Sequence, residues 1–141
     1  MKYTIIITVY NKEQYLKRCL DSVCKQNYKN YLVMVVNDGS TDDSEKIIKK
    51  YVKKYKILYY KKENTGVADT RNYAIDRVTT NYFLFVDADD YVSLDLLETI
   101  DNYSDYKIYG SQITTGTKEE QQQAVFVGKF LDIYENSYIK Q

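Results

Sequence analysis

The sequence contains no histidine, no proline and no tryptophan, and only two cysteines in 141 residues. Because histidine is the commonest general base and zinc ligand, its absence means that acid–base or metal chemistry must use carboxylates. Cys19 and Cys24 lie in a segment with helical spacing, which separates them by about 7.5 Å along the axis, beyond the reach of a disulfide. Both are expected to be free thiols.

An excess of charge and long apolar runs are also missing. Lysine plus arginine equals aspartate plus glutamate at 20 each, so no net field draws the chain to nucleic acid or to an anionic membrane. Apolar runs of about seven residues fall well short of the roughly 20 that span a membrane, and the N-terminal segment is too short for a secretory signal. A cytoplasmic location is the expectation.

The sequence does contain a repeated strand–helix pattern. Four short, unbroken apolar runs predict strands over Tyr3–Val9, Tyr31–Val36, Lys56–Tyr60 and Tyr82–Val86. Continuous apolar runs, in place of alternating ones, are typical of parallel strands buried on both faces. With helical segments between the strands, the pattern predicts the α/β class, with helices flanking a mainly parallel sheet.

Helical spacing follows each of the first three strands. Asn11 is the predicted N-cap of the first helix, Thr41 or Asp42 caps the second, and the third is expected over Val67–Val78. Beyond Asp90 the pattern weakens. There it predicts a helix over 93–103, strands over 106–111 and 124–128, and a helical end over 129–140.

Polar residues follow three of the four predicted strands. Thr8 and Tyr10 lie at the end of the first, Asp38 ends the second, and Asp87 and Asp89 follow the fourth. Right-handed crossovers return all parallel strands to one edge, and open parallel sheets bind ligands at that edge. These side chains are therefore expected to line one pocket.

The acids after the fourth strand suggest a cation site. In an extended segment Asp87 and Asp89 face the same side, and two carboxylates about 4 Å apart repel by roughly 4 kcal/mol at an effective dielectric near 20. A divalent cation removes this repulsion, and an all-oxygen site with Asp90 nearby suits Mg²⁺ or Mn²⁺ together with substrate phosphates. The plainer alternative is a solvated turn that starts a helix.

Asp38 and Arg71 can each be interpreted either as a ligand-binding residue or as an ordinary turn or surface residue. A carboxylate at the tip of the second strand can accept a hydrogen bond from a base imide, which uracil offers and cytosine does not, so UDP is favoured without excluding GDP. The alternative is a turn, although an EF-hand fails because its sixth position would be Asp43. Arg71 follows Gly66 in a predicted helix and either binds an anion or is solvated.

Taken together, four segments resemble family 2 glycosyltransferases, which have the GT-A (Rossmann-like) nucleotide-binding fold. They are "TVYNKEQYLKRCLDSVCKQNY", "LVMVVNDGSTDDS", "NTGVADTRNYAI" and "YFLFVDADDY", in family order over roughly residues 3–92. The resemblance implies transfer of a sugar, with inversion, from a UDP-sugar donor to a saccharide or lipid-linked acceptor. It does not imply nucleic-acid binding.

The resemblance also implies roles for particular residues. Its nucleotide-sugar ligands are Thr8, Tyr10, Asp38, Arg71, Asp87 and Asp89. Tyr10 would lie against the base, Asp38 would bind the uracil, and Arg71 would lie near the base or the diphosphate. Asp87 and Asp89 form the Asp-x-Asp motif, one toward the ribose and one toward a Mn²⁺ or Mg²⁺ ion, with Asp90 sharing the metal role. As a Lewis acid, that metal would stabilise the departing UDP.

Family members normally continue well past this length. Residues 1–92 match the nucleotide-sugar-binding core, and 93–141 are expected to continue the same domain as an incomplete start of the acceptor-side half. No residue aligns with the family's catalytic base, including Glu119, Glu120 and Glu135. The chain is thus expected to be the nucleotide-binding half, either shortened or a natural short form, with little activity alone because a missing base costs a factor of about 10²–10⁴.

Further expectations follow from a half-enzyme. Apolar surface meant for the missing half predicts self-association, and the full-length parent is expected at the inner face of the membrane. The competing hypothesis is a non-catalytic sugar-nucleotide-binding module. Receiver domains and haloacid-dehalogenase-like phosphatases are excluded, because their acids follow the first strand, where this chain has "TVYN".

Overall fold

A computed structural model describes residues 1–102, 110–113 and 129–135. Its strands are β1 (Tyr3–Val9), β2 (Tyr31–Asp38), β3 (Ile57–Lys62), β4 (Tyr82–Phe85), β5 (Gly110–Ile113) and β6 (Lys129–Glu135). Its helices are α1 (Glu13–Cys24), α2 (Ser44–Lys54), α3 (Val67–Ile75) and α4 (Leu96–Asn102). The predicted α/β class and the first four strands are confirmed.

The strands form one sheet in the order β3-β2-β1-β4-β6-β5. The first four are parallel, with Tyr3 opposite both Tyr31 and Tyr82, and Val33 opposite Ile57. β6 pairs antiparallel with β4 and with β5. The sheet is therefore mainly parallel, as predicted, and the carboxyl ends of β1 to β4 share one edge.

The core has two layers because both faces of the parallel strands are covered. Ile5 and Ile7 of β1 face a cluster that includes Leu16 and Leu20 of α1, and α2 and α4 contribute to the same cluster. Ile6 faces the opposite cluster with residues of α3. This burial on both sides explains the unbroken apolar runs.

The predicted cap of the first helix is wrong. Lys12 occupies the position before α1 and makes no side-chain cap bond, whereas Asn11 adopts a φ of 51°. The Asn11 side-chain oxygen instead accepts hydrogen bonds from the backbone N–H groups of Thr41 and Asp42, at 2.7 and 3.3 Å. Asn11 thus braces the loop before α2, a tertiary contact that the local capping pattern does not reveal.

The helical prediction for residues 129–140 is also wrong over its first half. Lys129–Glu135 forms β6, because β4 would otherwise present an unpaired edge and β6 supplies the missing backbone partners there. The strand predicted over 106–111 overlaps the start of β5, and residues 136–140 and the strand predicted over 124–128 lie outside the described residues.

Both cysteines are free, as expected, with Cys19 buried and Cys24 partly buried. Burial raises the pKa of the Cys24 thiol to about 12, so it stays protonated at neutral pH. Within the part of the chain that the structure describes, no helix combines the length and apolar character needed to cross a bilayer.

Candidate nucleotide-sugar site

The site is built at the carboxyl edge of the parallel strands. Thr8 of β1 lies opposite Val36 of β2, and Tyr10, just beyond β1, exposes 47% of its surface. Asp38 closes β2, and the acid cluster begins two residues after β4. The topology therefore brings the predicted site residues of β1, β2 and β4 to one edge of the sheet.

Three carboxylates converge after β4. One oxygen each from Asp87, Asp89 and Asp90 lies within 4.8 Å of the others, and the N–H of Asp90 donates to the carbonyl of Asp87 at 2.9 Å in the turn that holds them. Ala88 between them is buried, so the acids project from an anchored segment. Carboxylate oxygens are the ligands that hard divalent cations prefer, so the chemistry of this donor set suits such an ion, although oxygens up to 4.8 Å apart would have to approach to about 4.2 Å to share one Mg²⁺.

Two basic side chains approach this acid cluster. Lys12 Nζ lies 3.3 Å from Asp89 Oδ2, and Arg71 Nη2 donates to Asp87 Oδ1 at 3.1 Å. The guanidinium carbon of Arg71 also lies 5.0 Å from the centroid of the Phe85 ring. Because both ion pairs are partly solvated, each is weak enough to exchange partners.

Asp38 is buried, with only 3% of its surface exposed. Its Oδ1 accepts from Lys62 Nζ at 2.6 Å and from the Thr65 N–H at 3.0 Å, and its Oδ2 accepts from the Gly66 N–H at 3.1 Å. Burial by itself acts to raise the pKa of Asp38, but these hydrogen bonds together hold it below its ordinary value. Asp38 therefore stays ionised and fixes the loop that leads into α3.

Helix α3 connects the two ends of the site. Its first turn is tied to the Asp38 network, because Lys62 Nζ also lies 3.2 Å from Thr70 Oγ1. The next residue, Arg71, reaches the acid cluster. One short helix thus links the tip of β2 to the segment after β4.

The loop after β2 is held against the start of α1. Glu13 N–H donates to Asp42 Oδ2 at 3.1 Å, and Asp43 N–H donates back to Glu13 Oε2 at 2.9 Å. The N–H of Lys12 donates to Ser44 Oγ at 3.0 Å. The two helices therefore satisfy each other's first backbone donors at the edge that carries the site.

Lys12 and Lys62 are the site residues that sequence reasoning missed. Each is one of many lysines in the chain, and neither belongs to a motif with a spacing of its own. The proximity of Lys12 to Asp89 depends on the pairing of β1 with β4, and that of Lys62 to Asp38 depends on the pairing of β2 with β3. In the sequence, the only feature that distinguishes Lys12 from the other lysines is its position directly after Asn11. The functional roles of the site residues, from Thr8 to Asp90, stay predictions.

A family model described as "Glycosyl transferase family 2" matches residues 4–124. The chain is 43% identical over 116 residues to the glycosyltransferase GlyA of Streptococcus pneumoniae, covering 82% of this chain and 16% of that protein. It is 38% identical over 121 residues to the poly(ribitol-phosphate) beta-glucosyltransferase of Bacillus spizizenii, covering 82% of this chain and 19% of that one. The chain thus spans less than a fifth of these curated relatives.

Among solved structures, S. aureus TarS in complex with UDP-GlcNAc is similar, with a TM-score of 0.77, 24% identity, and coverage of 99% of this chain and 47% of that chain. The mannosyltransferase PcManGT of Pyrobaculum calidifontis, in complex with GDP-Man and Mn²⁺, has a TM-score of 0.78 at 18% identity, with coverage of 99% and 46%. Both likenesses concern the fold, and the chain spans about half of each.

Proposed function

The chain belongs to glycosyl transferase family 2, and on that premise we propose that it forms the donor-binding part of an inverting transferase. The enzyme would move a sugar from a UDP-sugar to a saccharide or lipid-linked acceptor. The observation that carries the proposal is the convergence of the Asp87, Asp89 and Asp90 oxygens within 4.8 Å, at the strand edge where ligands of open parallel sheets bind.

The acid cluster would hold a divalent cation, Mn²⁺ or Mg²⁺. Of Asp87 and Asp89, one would face the ribose and one the metal, and Asp90 would share the metal role. Carboxylate oxygens without histidine or thiolate suit either ion, and PcManGT was solved with Mn²⁺. When bound, such an ion supplies charge stabilisation for the departing nucleoside diphosphate.

The chain's own residues would orient the donor. Tyr10 is exposed beside the site and would lie against the base, with Thr8 lining the nucleoside pocket. A carboxylate has about four acceptor positions, and three at Asp38 are used by Lys62, Thr65 and Gly66. Because the Asp38 side chain is only 4% exposed and Thr70 is a further hydrogen-bond partner, the imide N–H of uracil would take the place of one of these donors at Asp38. TarS was solved with UDP-GlcNAc, which supports a uridine donor.

Arg71 would bind near the donor's base or diphosphate. It is held between Asp87 and the face of Phe85, and its Nε is buried without a hydrogen-bond partner among the described residues. A guanidinium suits phosphate oxygens because it can donate two parallel hydrogen bonds. Arg71 would therefore fix the donor before any bond breaks.

The acceptor proposed is a cell-surface glycopolymer. Relatives are named as a teichoic acid poly(glycerol phosphate) polymerase of Staphylococcus epidermidis and a minor teichoic acid biosynthesis protein of Bacillus subtilis. These names do not favour the alternative of a non-catalytic binding module. A base that deprotonates the acceptor is not assigned. Glu119 and Glu120 lie outside the described residues, and Glu135 ends β6.

Calorimetric titration with UDP, GDP and CDP, each with and without Mn²⁺, tests this function. We expect UDP to bind in a metal-dependent manner, Asp89→Ala to abolish binding, and Asp38→Ala to weaken it. CDP should bind less well by a factor of about 5 to 150, the equivalent of the roughly 1–3 kcal/mol for an unmet hydrogen bond. Equal binding of CDP would overturn the role of Asp38, and metal-independent binding of UDP would overturn the role of the acid cluster.

Location and assembly are proposed from the same premise. A cytoplasmic protein at the inner face of the membrane fits a transferase that uses a cytoplasmic nucleotide sugar and a lipid-linked acceptor, and cell fractionation tests it. Self-association is also proposed, and sedimentation velocity tests it. A single monomeric species over a wide concentration range would count against it.

A further inference from the structure

Lys12 contacts one of the proposed metal ligands, although the resemblance assigns it no role. Its Nζ lies 3.3 Å from Asp89 Oδ2, and the two side chains are 38% and 42% exposed. Arg71 occupies the equivalent position on Asp87 at 3.1 Å. Each carboxylate of the Asp-x-Asp motif therefore pairs with a basic side chain, Asp89 with Lys12 just before α1 and Asp87 with Arg71 in α3.

The backbone of Lys12 is fixed from both sides. Its N–H donates to Ser44 Oγ at 3.0 Å, and its carbonyl accepts from the N–H groups of Tyr15 and Leu16 at 3.0 and 2.9 Å. Because the backbone of Lys12 is anchored, its ammonium group can move only as far as the side chain extends. Because the side chain is partly solvated, the ammonium group is free to make that movement. Lys12 Nζ can therefore leave Asp89 without leaving the edge of the site.

The partner segment is tied to the same helix. Arg18, on the second turn of α1, donates from Nη2 to the carbonyl of Asp89 at 3.4 Å, and its guanidinium carbon lies 4.2 Å from the centroid of the Tyr91 ring. The acid cluster is thus docked on α1 independently of the Lys12–Asp89 pair. Breaking that pair should not displace the cluster.

We propose that Lys12 is the exchangeable counter-ion of Asp89 and a ligand of the donor's diphosphate. Without donor, its ammonium group neutralises Asp89 and competes with a divalent cation for that carboxylate. With donor, the cation takes Asp89 and the ammonium group transfers to a diphosphate oxygen. This inference rests on the proposed function, because it requires a nucleoside diphosphate and a cation at this edge.

The exchange has a thermodynamic consequence. Because Lys12 and the cation compete for one carboxylate, the cation alone binds weakly. The diphosphate offers Lys12 a new partner and removes that competition, so cation and nucleotide each raise the affinity of the other by the same factor. Lys12 therefore couples the two ligands, in addition to adding a contact.

The test uses the whole chain with MnCl₂ and UDP as probes. Manganese binding without nucleotide is measured by electron paramagnetic resonance, and UDP binding at saturating Mn²⁺ by calorimetry. Lys12→Met should bind Mn²⁺ alone about two- to five-fold more tightly, the range that exposed ion pairs contribute. It should bind UDP about ten-fold more weakly, as expected for a lost charged hydrogen bond.

The matched control is Lys17→Met. Lys17 lies in α1, which Lys12 directly precedes. It is 76% exposed and pairs with Asp21 at 3.0 Å. Its replacement by methionine changes the net charge by the same amount as that of Lys12. It should leave both affinities within about two-fold of the unmodified chain. Lys12→Arg, which keeps the charge, should restore most of the UDP affinity, and thermal unfolding verifies that each variant is folded.

The opposite shifts in Lys12→Met are the signature of the exchange, since a merely structural role would weaken both ligands or neither. If the unmodified chain binds UDP only with Mn²⁺ but Lys12→Met behaves as Lys17→Met does, or shifts both affinities the same way, the inference alone fails. If the unmodified chain binds no UDP even with Mn²⁺, the proposed function fails with it.

Discussion

At the scale of single residues, the Asp38–Lys62 pair is the contact on which the geometry of the site depends most. The two side chains are only 4% and 12% exposed, and Asp38 also receives the N–H groups of Thr65 and Gly66. Removing one member of such a pair leaves a buried charge without compensation, which costs about 3–5 kcal/mol. We therefore expect Asp38→Asn to lower the free energy of unfolding by an amount in that range, measured by urea titration.

This pair also predicts a pH dependence. Because the pKa of Asp38 is lower in the folded chain than its ordinary value, its contribution to stability is present above the unfolded-state pKa, near 4, and is lost as the pH falls through the folded-state pKa. Asp38→Asn should flatten the stability profile below about pH 4. If Asp38→Asn follows the unmodified profile, Asp38 does not titrate as described.

Two glycines separate a conformational effect from a steric one. Gly39 and Gly66 both have positive φ, at 72° and 98°. A Cβ on Gly39 would lie 2.8 Å from the backbone N of Asn64, whereas a Cβ on Gly66 would meet nothing within 4 Å. Gly66→Ala should cost about 1–3 kcal/mol of unfolding free energy, because a φ of 98° with a ψ of 165° is a conformation that essentially only glycine adopts, and Gly39→Ala should cost clearly more. If both variants lose the same unfolding free energy in a denaturant titration, the loop at Asn64 moves to accommodate a Cβ at position 39.

At the scale of elements, α1 and α2 start by capping each other. The reciprocal bonds between Glu13 and the Asp42–Asp43 segment replace the Asn11 cap predicted for α1, whereas Asp42 Oδ1 also accepts locally from the Ser44 N–H of α2 at 2.9 Å. Each of Glu13→Ala and Asp42→Ala should cost about 0.5–2 kcal/mol. Because the two residues serve one joint, a double-mutant cycle measured by thermal unfolding should give a coupling of about 0.5 kcal/mol or more.

The control for this cycle pairs Asp42→Ala with Lys54→Ala. Lys54 ends α2, about 15 Å along the helix from Ser44, so the two changes should be additive within about 0.5 kcal/mol. Additivity for the Glu13–Asp42 pair as well would mean that the two helix starts are independent.

Elements whose stability is local or whose burial is complete could be predicted from the sequence. The bounds of β1 were predicted without error, because six of its seven residues are β-branched and six are buried. β6 could not be predicted from the sequence, because "KFLDIYE" has no strong preference for strand or helix and becomes a strand by pairing with β4. Asn11 fits a helix cap locally, but its best partners lie 30 residues away in Thr41 and Asp42.

The candidate site shows the same division. Its acids could be found because they follow predicted strands, and parallel topology brings strand ends together. Lys12 and Lys62 could not be found, because a lysine near a carboxylate is visible only once strand order and register are known. The sequence therefore predicts which groups carry the charge of the site, while only the fold shows how that charge is neutralised.

At the scale of the whole molecule, β1 is the centre of the sheet. It pairs with β2 on one side and β4 on the other, and nearly all of it is buried, whereas β3 lies at an edge and is only partly buried. Amide hydrogens opened only by global unfolding exchange most slowly. In native-state hydrogen exchange, β1 amides should report the global free energy of unfolding, and β3 amides should exchange through smaller openings.

Destabilising variants distinguish the two behaviours. Asp38→Asn should speed the exchange of β1 in proportion to the global loss, since those amides need complete unfolding. Exchange of β3 as slow as that of β1, and equally sensitive to the mutation, would mean that the sheet opens only as one unit.

The central place of β1 has a consequence for how the chain is made. Tyr3 pairs with Tyr82, so β1, which leaves the ribosome before the other three parallel strands, waits for β4, the last of that set. At about 5–20 residues per second, that wait lasts roughly 4–15 s. During this time one side of an apolar strand has only non-native neighbours to pair with, and such edges recruit other chains. Neighbouring nascent chains on one mRNA should therefore need a chaperone that shields residues 3–9 from association with other chains until Tyr82–Phe85 emerges.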